Sequence, residues 1–293
     1  MRKQNVTIIM LLMFFIGLLI LFYPTISNLY NEKNKTRIIS NYEEILKSID
    51  NSKYEEEKIF ADKYNKKLNK IEEPLINYKS IQNYNKLLNI NNDGMMGYLV
   101  IDKIKVELPI YHGTSNKVLA SSVGHLKGSS LPIGGESTHS ILSAHRGLPS
   151  AKLFSDLDKL EIGDTFKIIV LDEVLVYKVD KISVVKPSEI NELKITKGKD
   201  YVTLLTCTPY GINTHRLLVR GVRVTKEDKK EYITTESFKI NKLIVLPLVS
   251  TPIIFLLLII LLIKPIKKDD INKYNEFIYP NKYKSKEVKK WKE

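Results

Sequence analysis

The chain contains one cysteine, Cys207, so no intramolecular disulfide can form and a disulfide-stapled mini-protein is excluded. Its histidines, His112, His125, His139, His145 and His215, include no His-x-His pair and no i,i+4 pair, which leaves a metal site without support. Neither a metal nor an organic cofactor is expected. Residues 97 to 224 hold no internal repeat and no low-complexity stretch. Acidic residues are outnumbered, 33 against 46 Lys and Arg, giving a formal net charge of +13. That balance fits a nucleic acid or a membrane surface equally well. Here the basic residues flank apolar segments and are otherwise scattered, so no nucleic-acid partner is expected. With 27% charged and 43% hydrophobic residues over 293 positions, the chain is not wholly disordered and suits one substantial domain with appendages.

Two stretches lack charge altogether. One runs from Val6 to Tyr23, the other from Leu243 to Ile263. Each approaches or exceeds the roughly 20 apolar residues that cross a bilayer core of about 30 Å. Pro247 and Pro252 in the second run are compatible with a kinked membrane helix. The first run is longer than a typical signal-peptide core and no small-x-small site follows it, so it is expected to be an uncleaved signal anchor. Arg2 and Lys3 precede the first run; Lys264, Lys267 and Lys268 follow the second. The positive-inside tendency then predicts a two-pass protein of the cell membrane. Both termini would be cytoplasmic and the domain between the spans extracellular. The Lys-rich tail, residues 264–293, is expected to be solvated against anionic lipid headgroups.

The organisation expected is a cytoplasmic N-terminus over 1–5, a transmembrane anchor over 6–24 and a helical spacer over 25–71. A loop follows over 72–96, then a β-rich domain over 97–230, a linker over 231–242, a span over 243–263 and the tail over 264–293. In the spacer, Ile38, Ile39, Ile45, Leu46 and Ile49 recur at helical spacing, as do Ile59, Phe60, Tyr64, Leu68 and Ile71. These faces fit either a simple stalk or a helical pair packed on the domain. From residue 97 onward short β-prone runs take over, at 98–101, 106–111, 140–143, 165–171, 174–185, 201–205 and 216–224. Along the fifth, alternation is read over Val174, Val176, Lys178 and Asp180. Short helices are expected at 117–122 and 151–157. Many short strands with few helices predict a β-barrel or sandwich.

Cys207 follows the β-prone run Tyr201–Leu205, and Pro209 and Gly211 break the strand after it. A nucleophile placed there is held by rigid backbone yet exposed at a rim. A free Cys is also among the residues most often buried, so composition alone leaves both readings open. Arg216 comes nine residues later, beyond a stretch able to turn the chain, where a guanidinium can stabilise an oxyanion or anchor a substrate. Arg220 lies at even spacing from it and competes for that role. His145, like Cys207, stands where a strand ends. Spacing favours it only modestly over His125 and His139 as general acid and base.

Four motifs extend this reading. They are Leu-Pro-Ile-Tyr-His-Gly-Thr at 108–114, Gly-His-Leu-Lys-Gly-Ser-Ser-Leu-Pro-Ile-Gly-Gly-Glu-Ser-Thr-His-Ser at 124–140, Ser-Ala-His-Arg-Gly-Leu-Pro at 143–149, and Thr-Leu-Leu-Thr-Cys-Thr-Pro-Tyr-Gly-Ile-Asn-Thr-His-Arg-Leu-Leu-Val-Arg-Gly at 203–221. Together they closely resemble a class C sortase, a pilus-assembling cysteine transpeptidase of Gram-positive bacteria. The resemblance implies a mainly β fold, an eight-stranded sortase barrel with N-terminal helices, here flanked by two transmembrane helices. It implies that His145, Cys207 and Arg216 are the catalytic three, with Arg220 and the other histidines in framework roles. It implies pilin or surface proteins carrying LPxTG-like sorting signals as partners, alongside membrane lipid. Relatives often carry a lid with an Asp-Pro-aromatic motif; the nearest match here is Glu73-Pro74-Leu75, which departs from it. Wall anchoring through a peptidoglycan amine, thiol hydrolysis and a non-enzymatic membrane scaffold are the competing readings.

Overall fold

The computed structural model describes residues 2–78 and 82–224. The second apolar run, the linker before it and the basic tail lie outside the described residues. Helix α1 spans Arg2–Ser48 and runs unbroken through Pro24. The expected anchor and the first part of the spacer are therefore one rod. Among the described residues it is the one helix long and apolar enough to cross a membrane. Helix α2 spans Asn51–Leu68, and the short α3 spans Pro74–Asn77.

Eight strands follow: β1 (Met95–Ile101), β2 (Val106–His112), β3 (Val123–His125), β4 (Thr138–Ser143), β5 (Thr165–Val170), β6 (Glu173–Val185), β7 (Asp200–Thr208) and β8 (His215–Arg223). Helix α4, Asn116–Leu119, joins β2 to β3 and is capped by the Ser115 side chain accepting from Val118 N–H. The strands close into a barrel in the order β1-β2-β3-β4-β7-β8-β6-β5. Pairing is antiparallel except between β2 and β3 and between β4 and β7, which are parallel. Closure removes free sheet edges.

Alternation sorts each strand into an inward and an outward series. Leu99, Ile110, Leu142, Phe166, Ile168, Tyr177, Val202, Leu204 and Val219 belong to the central core. Along β6 the buried phase is Leu175, Tyr177 and Val179, so the series Val174, Val176, Lys178, Asp180 faces outward. Gly221 is required at one crowded point, because a Cβ there would stand 2.7 Å from the Phe166 ring. The segment 151–157, expected to be helical, is a set of turns ending in a 3-10 helix over Leu157–Lys159.

The helices pack on the barrel rather than simply holding it aloft. On α1, Ile39, Tyr42 and Leu46 bury against Met95 and Tyr98. Tyr42 Oη donates to Met96 O at 3.1 Å and accepts from Leu171 N at 3.1 Å. On α2 the buried stripe is Ala61, Tyr64 and Leu68, whereas Ile59 and Phe60 are exposed. Asn65 pairs with the Leu131 backbone through both its amide oxygen and its amide nitrogen.

The segment expected as one loop over 72–96 is pinned part-way. Tyr84 is buried, accepts from Gly113 N at 3.1 Å and stacks on His125. His125 Nε2 faces Ser130 O at 2.8 Å, so that nitrogen carries the proton and Nδ1 accepts from Tyr84 Oη at 2.8 Å. His139 is held likewise: Nδ1 donates to Lys194 O at 3.0 Å and Nε2 accepts from Thr203 Oγ1 at 2.7 Å.

Burial holds His125 and His139 neutral, each lowered from 6.5 to about 4. The unfolded chain binds protons below its ordinary pKa that these folded sites refuse. Their contribution to stability is therefore complete above pH 6.5 and is lost as the pH falls toward 4. Each contributes on the order of 3 kcal/mol at most. Asp200, raised by burial, offsets part of this. Thermal unfolding followed by circular dichroism from pH 7 to 4 should show a steadily falling midpoint, and a flat profile would contradict the buried neutral imidazoles.

Candidate active site

The strand register assembles one rim of the barrel. β7 and β8 pair antiparallel with Cys207 directly opposite Arg216. On its other side Arg216 lies opposite Val185 of β6. Directly opposed residues of antiparallel strands share a face. By alternation that face is the outer one, because Val202 and Leu204 point into the core. Cys207 is half-buried on it, neither walled into hydrocarbon nor fully open.

His145 reaches the same rim from β4. The parallel β4–β7 ladder ends at Ser143 opposite Leu205. Two further bonds carry the chain past that point: Ala144 N donates to Leu205 O at 3.2 Å, and Thr206 Oγ1 donates to Ala144 O at 2.8 Å. Phe154 N donates to His145 O at 3.1 Å and fixes the far side of the turn. His145 thus stands beside the end of β7 at the level of Cys207. The guanidinium of Arg216 is oriented by the turn before it, with Nη1 donating to Asn213 O at 3.1 Å and to His215 O at 3.0 Å. His145, Cys207 and Arg216 therefore share one rim.

The other candidates lie elsewhere. His139 is buried toward the opposite end of the barrel, opposite Tyr201. His125 pairs with Leu142 but is fully buried, its ring held by Tyr84 Oη and Ser130 O, and His112 beside it bonds to Gly94 O and Leu87 O. His215 alternates to the other face from Arg216. Arg220 forms a two-point ion pair with Asp180, at 3.0 and 2.7 Å, and lies over the Tyr201 ring at 4.2 Å. That pairing keeps Arg220 away from the rim.

Arg146 was not among the sequence candidates, yet it ties the rim together. Nη1 donates to Thr208 Oγ1 at 3.3 Å, Nη2 meets Asp158 at 2.5 Å, and the guanidinium lies over Tyr210 at 5.9 Å. Its neighbours His145 and Gly147 are thereby held against the residues that follow Cys207. Its position beside His145 was the only signal in the sequence, since its partners lie on two remote segments.

Below the rim, the outer face of β4, β7, β8 and β6 carries an apolar patch of Ile141, Leu205, Leu218 and Val185. Leu75 of α3 packs on this patch. Pro74 lies against Gly128, where a Cβ would stand 2.4 Å from Pro74 O. Glu73 is exposed, in left-handed backbone at φ 50°, and forms no ion pair among the described residues. Arg216 instead donates to backbone carbonyls. Leu75 packs on the same buried cluster as Leu205, which stands two residues short of Cys207 on the same face.

A cavity of about 590 Å³ opens between this segment and the β6–β7 connection, lined by Leu68, Ile71, Pro74, His139, Leu193 and Ile195 among others. It is not where the rim residues meet. His139 pairs with Tyr201, six strand residues or about 20 Å before Cys207. Among the described residues no group of three or more His, Cys, Asp or Glu is placed to hold a metal ion.

Comparison with known proteins agrees with this geometry. Residues 99–224 match the sortase domain. The crystal structure of sortase C1 from Streptococcus agalactiae is 51% identical, covers 65% of this chain and 99% of its own, and superposes with a TM-score of 0.59. A sortase C structure from Streptococcus pneumoniae is 43% identical over 64% of this chain and 97% of its own, with a TM-score of 0.57. Sortase D of Bacillus subtilis is 32% identical over 132 residues, 44% of this chain and 64% of that protein. The chain thus spans a little under two thirds of that curated relative. Barrel order, rim and similarity converge: the chain belongs to the sortase family, and its structural relatives are class C sortases.

Proposed function

We propose that this chain is a membrane-anchored cysteine transpeptidase. It cleaves an LPxTG-like sorting signal between Thr and Gly and joins the Thr to a Lys amine of another pilin subunit. The observation that carries this reading is the placement of Cys207 opposite Arg216, with His145 held alongside. The pilin assignment rests on the Streptococcus pneumoniae relative, whose structure is described in terms of pilin substrate specificity. Anchoring rests on the apolar start of α1.

The thiolate of Cys207 attacks the Thr carbonyl carbon, forming a C–S bond and a tetrahedral oxyanion beside the Arg216 guanidinium. Collapse breaks the C–N bond, and the imidazolium of His145 gives its proton to the departing Gly amine. A thioester remains on Cys207. The incoming Lys amine attacks it and passes a proton back to His145. The C–S bond breaks, the thiolate returns, and an isopeptide bond is left. No redox change occurs and the proton count closes over the cycle. Tethering enzyme and substrate to one bilayer raises their effective concentration without new contacts.

In this reading α3 is a lid. Leu75 occupies the apolar patch through which the signal peptide reaches Cys207, and Pro74 is seated against Gly128. The lid is held from both ends, by Leu68 and Asn65 on α2 and by Tyr84 beyond it.

The full-length chain in lipid nanodiscs, mixed with a sorting-signal peptide and a Lys-containing acceptor peptide, should yield a ligated product detected by mass spectrometry. C207A should give neither acyl-enzyme nor product. H145A should lower turnover by about 10²–10⁴-fold and R216A by about 10²–10³-fold. Transfer only to a peptidoglycan-type amine would replace polymerisation with wall anchoring; hydrolysis without transfer, or product from C207A, would contradict the mechanism. With the same peptide, L75A should raise the rate of acyl-enzyme formation several-fold, whereas a rate unchanged or lower would contradict the lid.

A further inference from the structure

We infer that the catalytic rim of the barrel faces the bilayer, with the loop 209–214 seated on its headgroup layer. The inference rests on the reading of α1 as a membrane anchor and adds the orientation of the barrel upon it. The occupant of this exposed apolar surface is lipid.

Helix α1 sets the orientation because it is a single rod that touches both ends of the barrel. Its charge-free run, Val6 to Tyr23, is 18 residues or about 27 Å long, close to the thickness of the hydrocarbon core. No residue of the apolar window is buried within the protein. Immediately beyond it, Ser27 Oγ donates to Ser150 O at 3.2 Å and Asn31 Nδ2 donates to the same oxygen at 2.5 Å. Ser150 lies in the turn that begins at His145. Ser27 stands about 6 Å along the axis from Tyr23 and Asn31 about 12 Å. Each headgroup layer is roughly 5–7 Å deep. The turn that carries His145 therefore lies at, or just above, the outer edge of the headgroups.

The helix then leads away from the rim. Tyr42 bonds to Met96 and Leu171, and Glu43 accepts from Tyr98 Oη at 2.6 Å. Met96 and Leu171 belong to the opposite end of the barrel, where β1 begins and the β5–β6 hairpin turns. From Ser27 to Tyr42 the rod covers about 22 Å. With contacts at both ends, the barrel cannot be inverted on the helix without breaking one set or the other.

The rim is also dressed for an interface. In the loop after Cys207, Tyr210 is 62% exposed and Ile212 68% exposed. Tyr210 lies edge-on to Gly147 and beneath Arg146, so this apolar surface is continuous with the turn of His145. Leu29 and Tyr30 on α1 are exposed as well. Tyrosine beside aliphatic side chains is the composition favoured where water meets hydrocarbon. A protein partner of the same apolar character has no comparable tie to the end from which the span emerges. The orientation places Cys207 where a signal peptide leaves its own membrane anchor, while the lid segment is rooted at the membrane-distal end.

The test uses the full-length chain in nanodiscs, with C207A as background so that one introduced cysteine carries a fluorophore. L19C, I212C and E136C are labelled in turn, Glu136 being exposed at the end of the barrel opposite the rim. Nitroxide lipids labelled at the headgroup or deep in the chain serve as quenchers. The expected result is deep-chain quenching at position 19, and headgroup quenching at 212 several-fold above that at 136. Quenching at 19 with equal, background values at 212 and 136 would overturn the orientation and leave the anchor standing. Stronger quenching at 136 than at 212 would invert it. No quenching at 19 would remove the anchor reading and the inference with it.

Discussion

The site depends on strand register. Cys207 and Arg216 meet because β7 and β8 pair directly at that position, and His145 joins them because β4 runs parallel to β7 and ends level with it. Side chains alternate along a strand, so a slip of one residue in either pairing would send one of the three to the core face. The register is strongly determined by what lies beneath it. Val202, Leu204, Leu217 and Val219 must enter the core together, and Leu205 and Leu218 must stay out to form the patch below the rim. The energy that holds these three side chains on one rim is thus hydrophobic burial at neighbouring positions, not attraction among the side chains themselves.

The two ends of the barrel are specialised differently. The rim carries turns and cations, and its order comes from side-chain bonds: Thr206 and Arg216 to the backbone of Ala144 and of the turn before β8, and Arg146 to the side chains of Asp158 and Thr208. Where β1 begins and β2 ends, the barrel instead carries the buried network of Tyr84, His125 and His112, with Asn65 on the neighbouring helix. There every ring nitrogen of His125 and His112 has a partner, which a buried imidazole requires. That end fastens the helices and both roots of the segment holding α3, while Leu75 itself rests only on an apolar patch. A segment tightly held at its roots and weakly held at its tip can move without disturbing the barrel.

Much of this was legible in the residues. Seven of the eight strands announced themselves as β-prone runs, and Cys207 and His145 could be seen to end strands. β3 could not, since Val123–His125 is too short to show a period. Adjacency was equally hidden: β4 and β7 are partners although residues 144–199 separate them, and only the matching motifs singled out His145 among the histidines. The buried faces of α1 and α2 were partly misassigned. Of the face expected on α2, Tyr64 and Leu68 are buried but Ile59 and Phe60 are exposed, and Ala61 and Asn65 take the remaining places, because an Asn can be buried when its polar group finds a backbone partner. Arg146 escaped notice for the same reason: its partners become neighbours only on folding.

The measurement that tests the register most directly is a disulfide trap between Cys207 and R216C. Directly opposed residues of an antiparallel pair have Cα atoms about 4.5–5.5 Å apart, within the span of a disulfide. Because Cys207 is the sole native cysteine, any intramolecular bond must involve it. Mild oxidation of the folded R216C variant should consume both thiols within one chain, while I212C treated identically should keep both. If R216C retains two free thiols after oxidation, Cys207 and Arg216 do not face one another and the account of the rim is wrong.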